Sequence, residues 1–400
     1  MINNNEYIFT SESVSEGHPD KMCDQISDAI LDACLRMRKD SKVACEMLIA
    51  GNKFFIGGEI KPKELVKKIG IKSIVQKIIK DIGYYDLNEK NLSYKNIEII
   101  NSISKQSSEI SKAIGVNSRE DIGAGDQGIM YGYATDETEE FMPLPILLAN
   151  KMIYKLTEFR KNYINSDSFL RPDAKSQISV KYNGINPISI EDILVSHQHA
   201  SIENPREKIG EIVKNIVEKD DLFNKFITEK TKYHINTGGS WKIGGPIADT
   251  GLTGRKIIVD TYGTACYHGG GCFSGKDPSK VDRSGAYMCR YIAKNIVAAK
   301  LAKKCEVCVC YAFAKSEPLH FNINTYNTGL LKDSELKYIV SKIEKFDLRP
   351  SKIISNLGLN NLSDCNWCYQ DTAVYGHFGR DKFPWEKTDK VYEIHKLVNI

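Results

Sequence analysis

The sequence lacks the features of several specialised protein classes. No apolar run approaches the roughly 18–20 residues that a bilayer span requires. Residues 1–10 are polar and carry no apolar segment of the kind found in secretory signals. Lysine plus arginine number 55 against 51 for aspartate plus glutamate, so the strong basic excess of a nucleic-acid-binding protein is missing. We therefore expect a cytoplasmic protein that binds neither membranes nor nucleic acid.

The composition is that of a globular protein with more than one domain. Hydrophobic residues make up 42% and charged residues 26% of the 400 residues. Because domains cluster at roughly 100–200 residues, this length predicts two or three of them.

The cysteine content does not indicate a disulfide framework. There are 11 cysteines, an odd number, and no secretory context accompanies them. The pairs Cys305/Cys308 and Cys365/Cys368 leave a zinc site open as an alternative. However, residues 305–310 alternate like a strand, which favours cysteines acting as small apolar side chains.

One order of elements recurs three times along the chain: strand, helix, strand, strand, helix, strand. This order predicts an α+β fold of three pseudo-threefold-related β-α-β-β-α-β domains, with helices on one face of mixed sheets. We place the domains at 1–110, 121–250 and 251–400. The third pass is predicted as strand 256–261, helix 280–300, hairpin 306–313 with 319–326, helix 334–346 and strand 373–377.

Two glycine-rich segments combine a flexible backbone with charge. Residues 123–128 hold three glycines and Asp126, and residues 244–256 hold Asp249 followed by Arg255 and Lys256. Glycines let the backbone approach a ligand closely, and adjacent Arg and Lys can grip an anion. Taken alone, a tight turn explains the first segment more simply, and a solvated pair of loop charges explains the second.

A third segment, residues 269–277, comes close to a phosphate-binding Walker A loop. Gly270, four further residues, Gly275 and Lys276 match that motif, but Asp277 stands where it requires Ser or Thr. A carboxylate at that position would repel phosphate. Successive backbone N–H groups at a helix start can still bind an anion. Asp282, one turn into the following helix, is placed to coordinate a hard cation.

The segment 15–21 opens the first predicted helix. Pro19 suits the first helical position, and its neighbours His18 and Asp20 lie at the positive end of the helix dipole. Each such segment alone has a structural explanation, a helix cap in the case of His18. Together they bring Lys, Arg or His near an Asp in every repeat, which suits a polyphosphate and its metal ions.

At this point the motifs resemble one family. Residues 9–21, 123–128, 254–256, 269–284 and 376–386 are similar to those of S-adenosylmethionine synthetase (methionine adenosyltransferase), in the family's order across nearly the whole chain. The resemblance implies a three-domain α+β enzyme. It implies that the methionine sulfur attacks the ribose 5′-carbon of ATP, and that the released tripolyphosphate is hydrolysed to pyrophosphate and phosphate. It also implies a homodimer or homotetramer with the active site at the dimer interface.

The resemblance implies a role for each matching position. His18 would stabilise the departing oxygen, and Asp20 and Asp282 would bind Mg²⁺, with two ions per site, while Glu46 would hold K⁺. The phosphate cations would be Lys175, Arg255, Lys256 and Lys276. The remaining ATP contacts would be Asp126, Asp173, Ser240, Trp241, Asp249 and Cys272. Methionine would be held by Glu59, Gln106, Asp249 and Lys280, with residues 106–116 as a mobile lid.

Several positions depart from the family pattern without removing a charged residue. Cys272 replaces a common alanine, Trp241 replaces a phenylalanine, and Phe313 lies in a run that is usually more apolar. These departures affect the expected affinity rather than the reaction. Two alternatives stay open: a catalytically silent regulatory subunit of the same fold, and a P-loop NTPase. The first would have lost charged positions such as His18 and Lys276, and the second is disfavoured by Asp277.

Overall fold

The computed structural model describes residues 5–85, 92–104, 122–162, 168–363 and 365–399. Three sheets with helices packed against them confirm the predicted α+β class with three related units.

The first unit begins with a strand and a long helix whose start the sequence specifies. His18 is the N-cap of α1, and Pro19 occupies its first position, where a missing N–H costs nothing. A hairpin turns at residues 51–52, and one further strand completes the unit. Its elements are β1 (Glu6–Val14), α1 (Pro19–Met37), β2 (Lys42–Ala50), β3 (Lys53–Lys61), α2 (Glu64–Lys68), α3 (Ile71–Ile82) and β4 (Glu98–Ser104).

The central unit follows the predicted order closely. A long helix packs on the sheet, and two 14-residue strands form its hairpin. Its elements are β5 (Gly128–Thr135), α4 (Leu144–Asn162), β6 (Leu170–Asn183), β7 (Asn186–His199), α5 (Pro205–Lys219), α6 (Asp221–Phe226) and β8 (Lys232–Ile235).

The third unit departs from the prediction at both of its outer strands. Residues 256–261 were expected to form a strand, but Ile257–Asp260 is helical, and the strand lies earlier. The elements are β9 (Gly251–Leu252), α7 (Ile257–Asp260), α8 (Val281–Ala298), β10 (Lys304–Tyr311), β11 (His320–Asn324), α9 (Asp333–Lys342), α10 (Pro350–Leu357), α11 (Tyr369–Thr372) and α12 (Val391–Val398).

Both differences have a structural basis. The Asp260 carboxylate is held by buried Lys21, and the Thr261 hydroxyl donates to the carbonyl of Ile257. These contacts stabilise a helical turn, although the β-branched residues of this segment favour a strand. The predicted strand 373–377 was also wrong. Tyr375 has a φ of 62°, a left-handed conformation that ends any extended run.

The three sheets exchange strands in a cycle. The strand that opens each unit pairs in another unit's sheet: β1 with β6, β5 with β10, and β9 with β2. The sheet orders are β4-β3-β2-β9, β1-β6-β7-β8 and β11-β10-β5. The first two are mixed, whereas the described third sheet is antiparallel throughout.

This exchange positions the loops that follow the exchanged strands. The segment after β1 leads to His18, and the segment after β9 leads to Arg255 and Lys256. Because β1 lies in the central sheet and β9 in the first, both loops are brought to the start of α1. The domain limits 1–110, 121–250 and 251–400 stay a prediction.

The buried apolar side chains form two clusters. One lies between α4 and the central sheet, and the other continues from α1 and the first sheet to α8 and the third sheet. Among the described residues, no helix is both long and apolar enough to cross a membrane.

Candidate active site at the start of helix α1

The loop before α1 is rigidly held. The Ser15 hydroxyl donates to the carbonyl of Pro172 (2.7 Å), and the Tyr84 hydroxyl donates to the carbonyl of Gly17 (2.8 Å). A Cβ on Gly17 would lie 2.4 Å from the Cβ of Pro172, so glycine is needed for this close approach. Pro172 of the central unit and Tyr84 of the first unit thereby fix the position of His18.

His18 is a buried, neutral imidazole. It is 3% exposed, and its Nδ1 accepts from the backbone N–H of Asp20 at 3.2 Å. Burial lowers the pKa of His18 to about 3, helped by the charges of Lys256, Lys175 and Lys21 and opposed by Asp20. Since Nδ1 is an acceptor, the single ring proton is on Nε2, which can donate a hydrogen bond.

Asp20 connects the helix start to the cations of the third unit. Its Oδ1 accepts from the N–H of Leu252 (2.9 Å), and its Oδ2 accepts from Lys256 Nζ (2.6 Å). Arg255 Nε lies 3.7 Å away. Burial by itself would raise the pKa of Asp20, but the hydrogen bonds from Lys256 and Leu252 lower it below its ordinary value. Asp20 is therefore an ionised carboxylate.

The central unit contributes a second carboxylate. Asp173 is 4% exposed, and its Oδ2 accepts from the N–H of Gly245 at 2.8 Å. Its Oδ1 has no hydrogen-bond partner within the described part of the chain. Burial raises the pKa of Asp173 to about 7, with Lys175 acting against this rise and Asp249 and Asp20 adding to it. The free oxygen is an acceptor for a ligand donor.

Lys276 and Asp282 form a second charged pair. Lys276 Nζ lies 2.6 Å from Asp282 Oδ2, and both side chains are 20% exposed. Burial alone would lower the pKa of Lys276, but the neighbouring Cys272 and Asp282 raise it. A Cβ on Gly271 would lie 2.3 Å from Asp282 Oδ1, so glycine is needed for the backbone to pass this close to the carboxylate. A carboxylate that is partly exposed fits Mg²⁺, which binds one or two carboxylates together with substrate phosphates.

The two charged pairs are neighbours. A Cβ on Gly254 would lie 2.3 Å from the Cβ of Cys272, and Gly254 has a φ of +79°. Arg255 and Lys256 follow Gly254 directly, and Lys276 lies four residues after Cys272. Residues from all three units therefore surround the start of α1.

Asp277 does not face the site, which removes the objection to phosphate raised by its position. Its Oδ2 accepts from the N–H of Val43 (2.7 Å), and its Oδ1 accepts from the Ser279 hydroxyl (2.6 Å). Burial opposes ionisation, but the charges of Lys280 and Lys42 lower the pKa of Asp277 to about 2. Lys280, predicted to hold methionine, is ion-paired with Asp277.

The predicted adenosine segment is anchored at the end of β7. The N–H of Trp241 donates to His199 Nε2 (3.1 Å), and its indole N–H donates to the carbonyl of Ile243 (2.9 Å). The Gln198 amide donates to Lys242 and accepts from the N–H of Asp173. The loop that carries Trp241 is thus connected to Asp173, and Ser240 beside it is exposed.

Glu46 and Glu59 lie on neighbouring strands of the first sheet, and the charge of Glu46 helps to raise the pKa of Lys276. They line an open cleft of about 410 Å³ together with Leu48, Phe55 and Leu252. Leu252 connects the cleft to the start of α1, because its N–H binds Asp20.

The remaining predicted positions lie at the edge of the site or outside the described residues. Asp126 is exposed, and its Oδ1 accepts only the N–H of Gln127 among the bonds described. Its segment pairs with Ala314, beside the half-exposed Phe313. Gln106 and the segment 106–116 lie outside the described residues.

Sequence reasoning missed two carboxylates that hold the site's loops. Asp24 and Asp28 follow Asp20 at intervals of four residues along α1, and both are fully buried. That spacing, which places all three on one face of a helix, was the available signal. The zinc alternative receives no support: in the part of the chain described, no cluster of three or more potential ligands is present.

Two comparisons with known proteins point to one family. Residues 6–108, 121–241 and 243–387 match the models of the N-terminal, central and C-terminal domains of S-adenosylmethionine synthetase. The chain is also 46% identical over 417 aligned positions to an S-adenosylmethionine synthase of Chlorobium phaeobacteroides, an alignment that covers the whole of both chains.

Proposed function

We propose that this chain, which belongs to the S-adenosylmethionine synthetase family, makes S-adenosylmethionine from ATP and L-methionine at the start of α1. The observation that carries the proposal is the meeting of three units at one helix start. His18 comes from the first unit, Lys175 from the second and Lys256 from the third, and both lysine charges act on His18. Such a cluster suits a leaving group with several negative charges.

The reaction requires alignment and charge stabilisation rather than a protein nucleophile. The methionine sulfur displaces the tripolyphosphate from the ribose 5′-carbon in one step, which needs sulfur, carbon and leaving oxygen in line. We assign to His18 Nε2 the hydrogen bond to the departing oxygen. Because its pKa is about 3, His18 donates as a neutral imidazole and need not lose its proton. Lys175, Arg255, Lys256 and Lys276 would then neutralise the phosphates.

Family membership implies a divalent metal, and we propose Mg²⁺ held by Asp20 and Asp282. Both carboxylates currently contact lysines that we assign to the phosphates, Lys256 and Lys276. When bound, Mg²⁺ would neutralise phosphate charge between these groups. We further propose that Glu46 binds K⁺, since its exposed carboxylate lies on β2, the strand that bridges to Lys276 through Ala44.

For methionine we propose the cleft that contains Glu59. A carboxylate suits the ammonium group of an amino acid, and the apolar side chains of Leu48 and Phe55 line the same cleft. Gln106, Asp249 and Lys280 remain predicted partners. Of these, Asp249 has the clearest support, because its charge acts on buried Asp173.

We also propose a homodimer whose interface includes the outer face of the first sheet. Leu252, Leu48, Phe55 and Ile100 are in register across its four strands and are 37–39% exposed. An apolar row across an open sheet indicates a surface that another chain covers. Analytical sedimentation of the wild type and of Phe55→Glu tests this. We expect the wild type to be a dimer or tetramer, and we expect Phe55→Glu to shift towards the monomer. A monomeric wild type would refute it.

The activity is tested with purified protein, ATP, methionine, Mg²⁺ and K⁺. We expect S-adenosylmethionine together with pyrophosphate and phosphate, all dependent on methionine. Release of ADP without methionine would instead support a P-loop-type NTPase. A folded oligomer without either product would support the silent regulatory subunit.

A further inference from the structure

Four aspartates form a stripe along α1. Asp20, Asp24, Asp28 and Asp32 recur every four residues and are all at most 4% exposed. Buried carboxylates are costly unless hydrogen-bonded, and each of these accepts a backbone N–H from the third unit. We call these residues the aspartate stripe.

Two members of the stripe hold the loops that carry the proposed phosphate cations. Asp24 Oδ1 accepts from the N–H of Gly254 at 2.9 Å. Asp28 Oδ1 accepts from the N–H of Gly275 at 2.8 Å. Gly254 directly precedes Arg255 and Lys256, and Gly275 directly precedes Lys276.

The stripe sets the distance between these two loops. Consecutive members lie about 6 Å apart along the helix axis, since each residue rises about 1.5 Å. Both glycines have a φ of +79°, and a Cβ on Gly275 would lie 1.9 Å from the carbonyl oxygen of Cys45. The backbone at Gly254 and Gly275 is therefore held in one conformation by hydrogen bonds to α1 and by close contacts with Cys272 and Cys45.

Each of these two carboxylates also has a cationic partner, which offsets part of the cost of burying it. Asp24 Oδ2 accepts from Lys21 Nζ at 2.9 Å, and Lys21 contacts Asp260 as well. Asp28 forms a two-pronged pair with Arg283 at 2.7 and 2.9 Å. Asp24 and Asp28 thus have cationic partners other than the proposed phosphate cations, because Lys256 pairs with Asp20 and Lys276 pairs with Asp282.

We propose that Asp24 and Asp28 are positioning residues, which fix the Arg255–Lys256 loop and the Lys276 loop at the spacing that a triphosphate requires. This inference rests on the proposed function. A positioning role depends on where the acceptor oxygen of each aspartate lies. A purely structural role would require only that a negative charge is present.

Two variants of Asp24 separate these roles. Asp24→Asn keeps an acceptor oxygen at the same position but loses the charge, whereas Asp24→Glu keeps the charge and moves the acceptor by one methylene. We expect Asp24→Glu to lower kcat about 10-fold or more, as expected for misplaced catalytic groups, and Asp24→Asn to stay within about 3-fold of wild type. Equal losses, or a larger loss in Asp24→Asn, would overturn the proposal.

Asp32→Glu is the matched control. Asp32 belongs to the same stripe, but its oxygens accept from the N–H groups of Tyr369 and Gln370, which precede no proposed phosphate cation. We expect Asp32→Glu to lose about as much melting temperature as Asp24→Glu does, while its kcat stays within about 2-fold of wild type. A loss of kcat as large as in Asp24→Glu would refute the positioning role.

Hydrogen exchange of the wild-type enzyme tests the inference without any substitution. We expect the amides of Gly254 and Gly275 to exchange slowly before ATP is added, because the stripe already binds them. Fast exchange of both amides in the free enzyme would contradict it, even if the variants failed to fold. Wild type that makes no S-adenosylmethionine would instead refute the proposed function itself.

Discussion

Lys276 and Asp277 are adjacent in the chain but have opposite partners: Lys276 Nζ lies 2.6 Å from Asp282 Oδ2, whereas Asp277 Oδ2 accepts the N–H of Val43 at 2.7 Å. One charge is directed to the site and the other fastens the loop to β2. This arrangement reconciles a glycine-rich anion loop with a carboxylate where a Walker A motif requires a hydroxyl.

Replacing Lys276 should affect turnover far more than stability. Lys276→Ala removes one proposed phosphate cation, and we expect kcat to fall about 100- to 1000-fold. Steady-state kinetics and urea unfolding measure the two effects. The control is Lys77→Ala, a lysine that pairs with Asp81 on the exposed face of α3 and should leave kcat unchanged. If unfolding free energy falls in parallel with kcat, Lys276 is structural.

Replacing Asp277 should have the opposite effect. Its folded-state pKa is about 2 against an ordinary 3.8, which corresponds to about 2 kcal/mol of stability. Because the pKa is lowered, this contribution is present above pH 4 and is lost as the pH falls from 4 to 2. We expect Asp277→Asn to be destabilised by about that amount at pH 7 and by less at pH 3.

Urea unfolding at several pH values checks this prediction. Asp40→Asn is the control, because Asp40 pairs with Arg38 at an exposed position where an ion pair contributes under about 1 kcal/mol. A stability difference between wild type and Asp277→Asn that did not shrink on acidification would contradict the assignment.

His18 should not titrate in the physiological range. Its pKa of about 3 keeps the ring neutral, with its proton on Nε2. We expect the ¹⁵N shifts of this imidazole to stay constant between pH 5 and 8 in the free enzyme. We also expect His18→Ala to lower kcat about 100-fold, by removal of one hydrogen-bond donor. An imidazole that titrates near pH 6.5 would disprove the neutral donor.

Asp173 should make ATP binding depend on pH. Burial raises the pKa of Asp173 to about 7, so the carboxylate becomes charged as the pH rises through neutrality. Its Oδ1, which has no hydrogen-bond partner among the described residues, then accepts more strongly from a ligand hydroxyl, and we expect KM for ATP to fall between pH 6 and 8. In Asp173→Asn this dependence should vanish. The same pH dependence in both proteins would point to another group.

The stability consequence of Asp173 has the opposite sign to that of Asp277. A carboxyl whose folded-state pKa is raised binds more protons when folded, so stability falls as the pH rises from 4 towards 7. Asp173→Asn should lose this slope. Urea unfolding of the same two proteins measures it alongside the kinetics.

Cys272 should be a target for thiol reagents without being needed for the reaction. Burial raises its pKa to about 11, so the thiol is neutral and reacts slowly. We expect Cys272→Ala to leave kcat nearly unchanged and to remove slow inactivation by N-ethylmaleimide. Inactivation that persists in this variant would place the sensitive thiol elsewhere, for example at the partly exposed Cys308 or Cys310.

Much of the fold follows from local sequence patterns. Pro19 and the apolar spacing of α1 predict that helix, and the turn at Gly51 predicts the first hairpin. The cyclic exchange of strands was not predictable, because pairs such as Thr10 with Ser179 depend on contacts between distant units. Tyr375 likewise has no sequence signal for its positive φ.

The candidate site was predictable to a different degree. Glycines beside charges marked the loops of Lys256 and Lys276, since close backbone approach and cations suit an anion. The partner of Asp277 could not be predicted, because Val43 is 234 residues away along the chain. The four-residue spacing of Asp24 and Asp28 was visible, but its meaning depended on knowing which loops pack on that face of α1.

A crystal structure of the oligomer with methionine and a non-hydrolysable ATP analogue tests the central claim most directly. We expect one triphosphate chain contacted by His18, Lys175, Lys256 and Lys276, with the methionine sulfur in line with the 5′-carbon and its leaving oxygen. A triphosphate bound elsewhere, with these four side chains left without contact to it, would contradict the account.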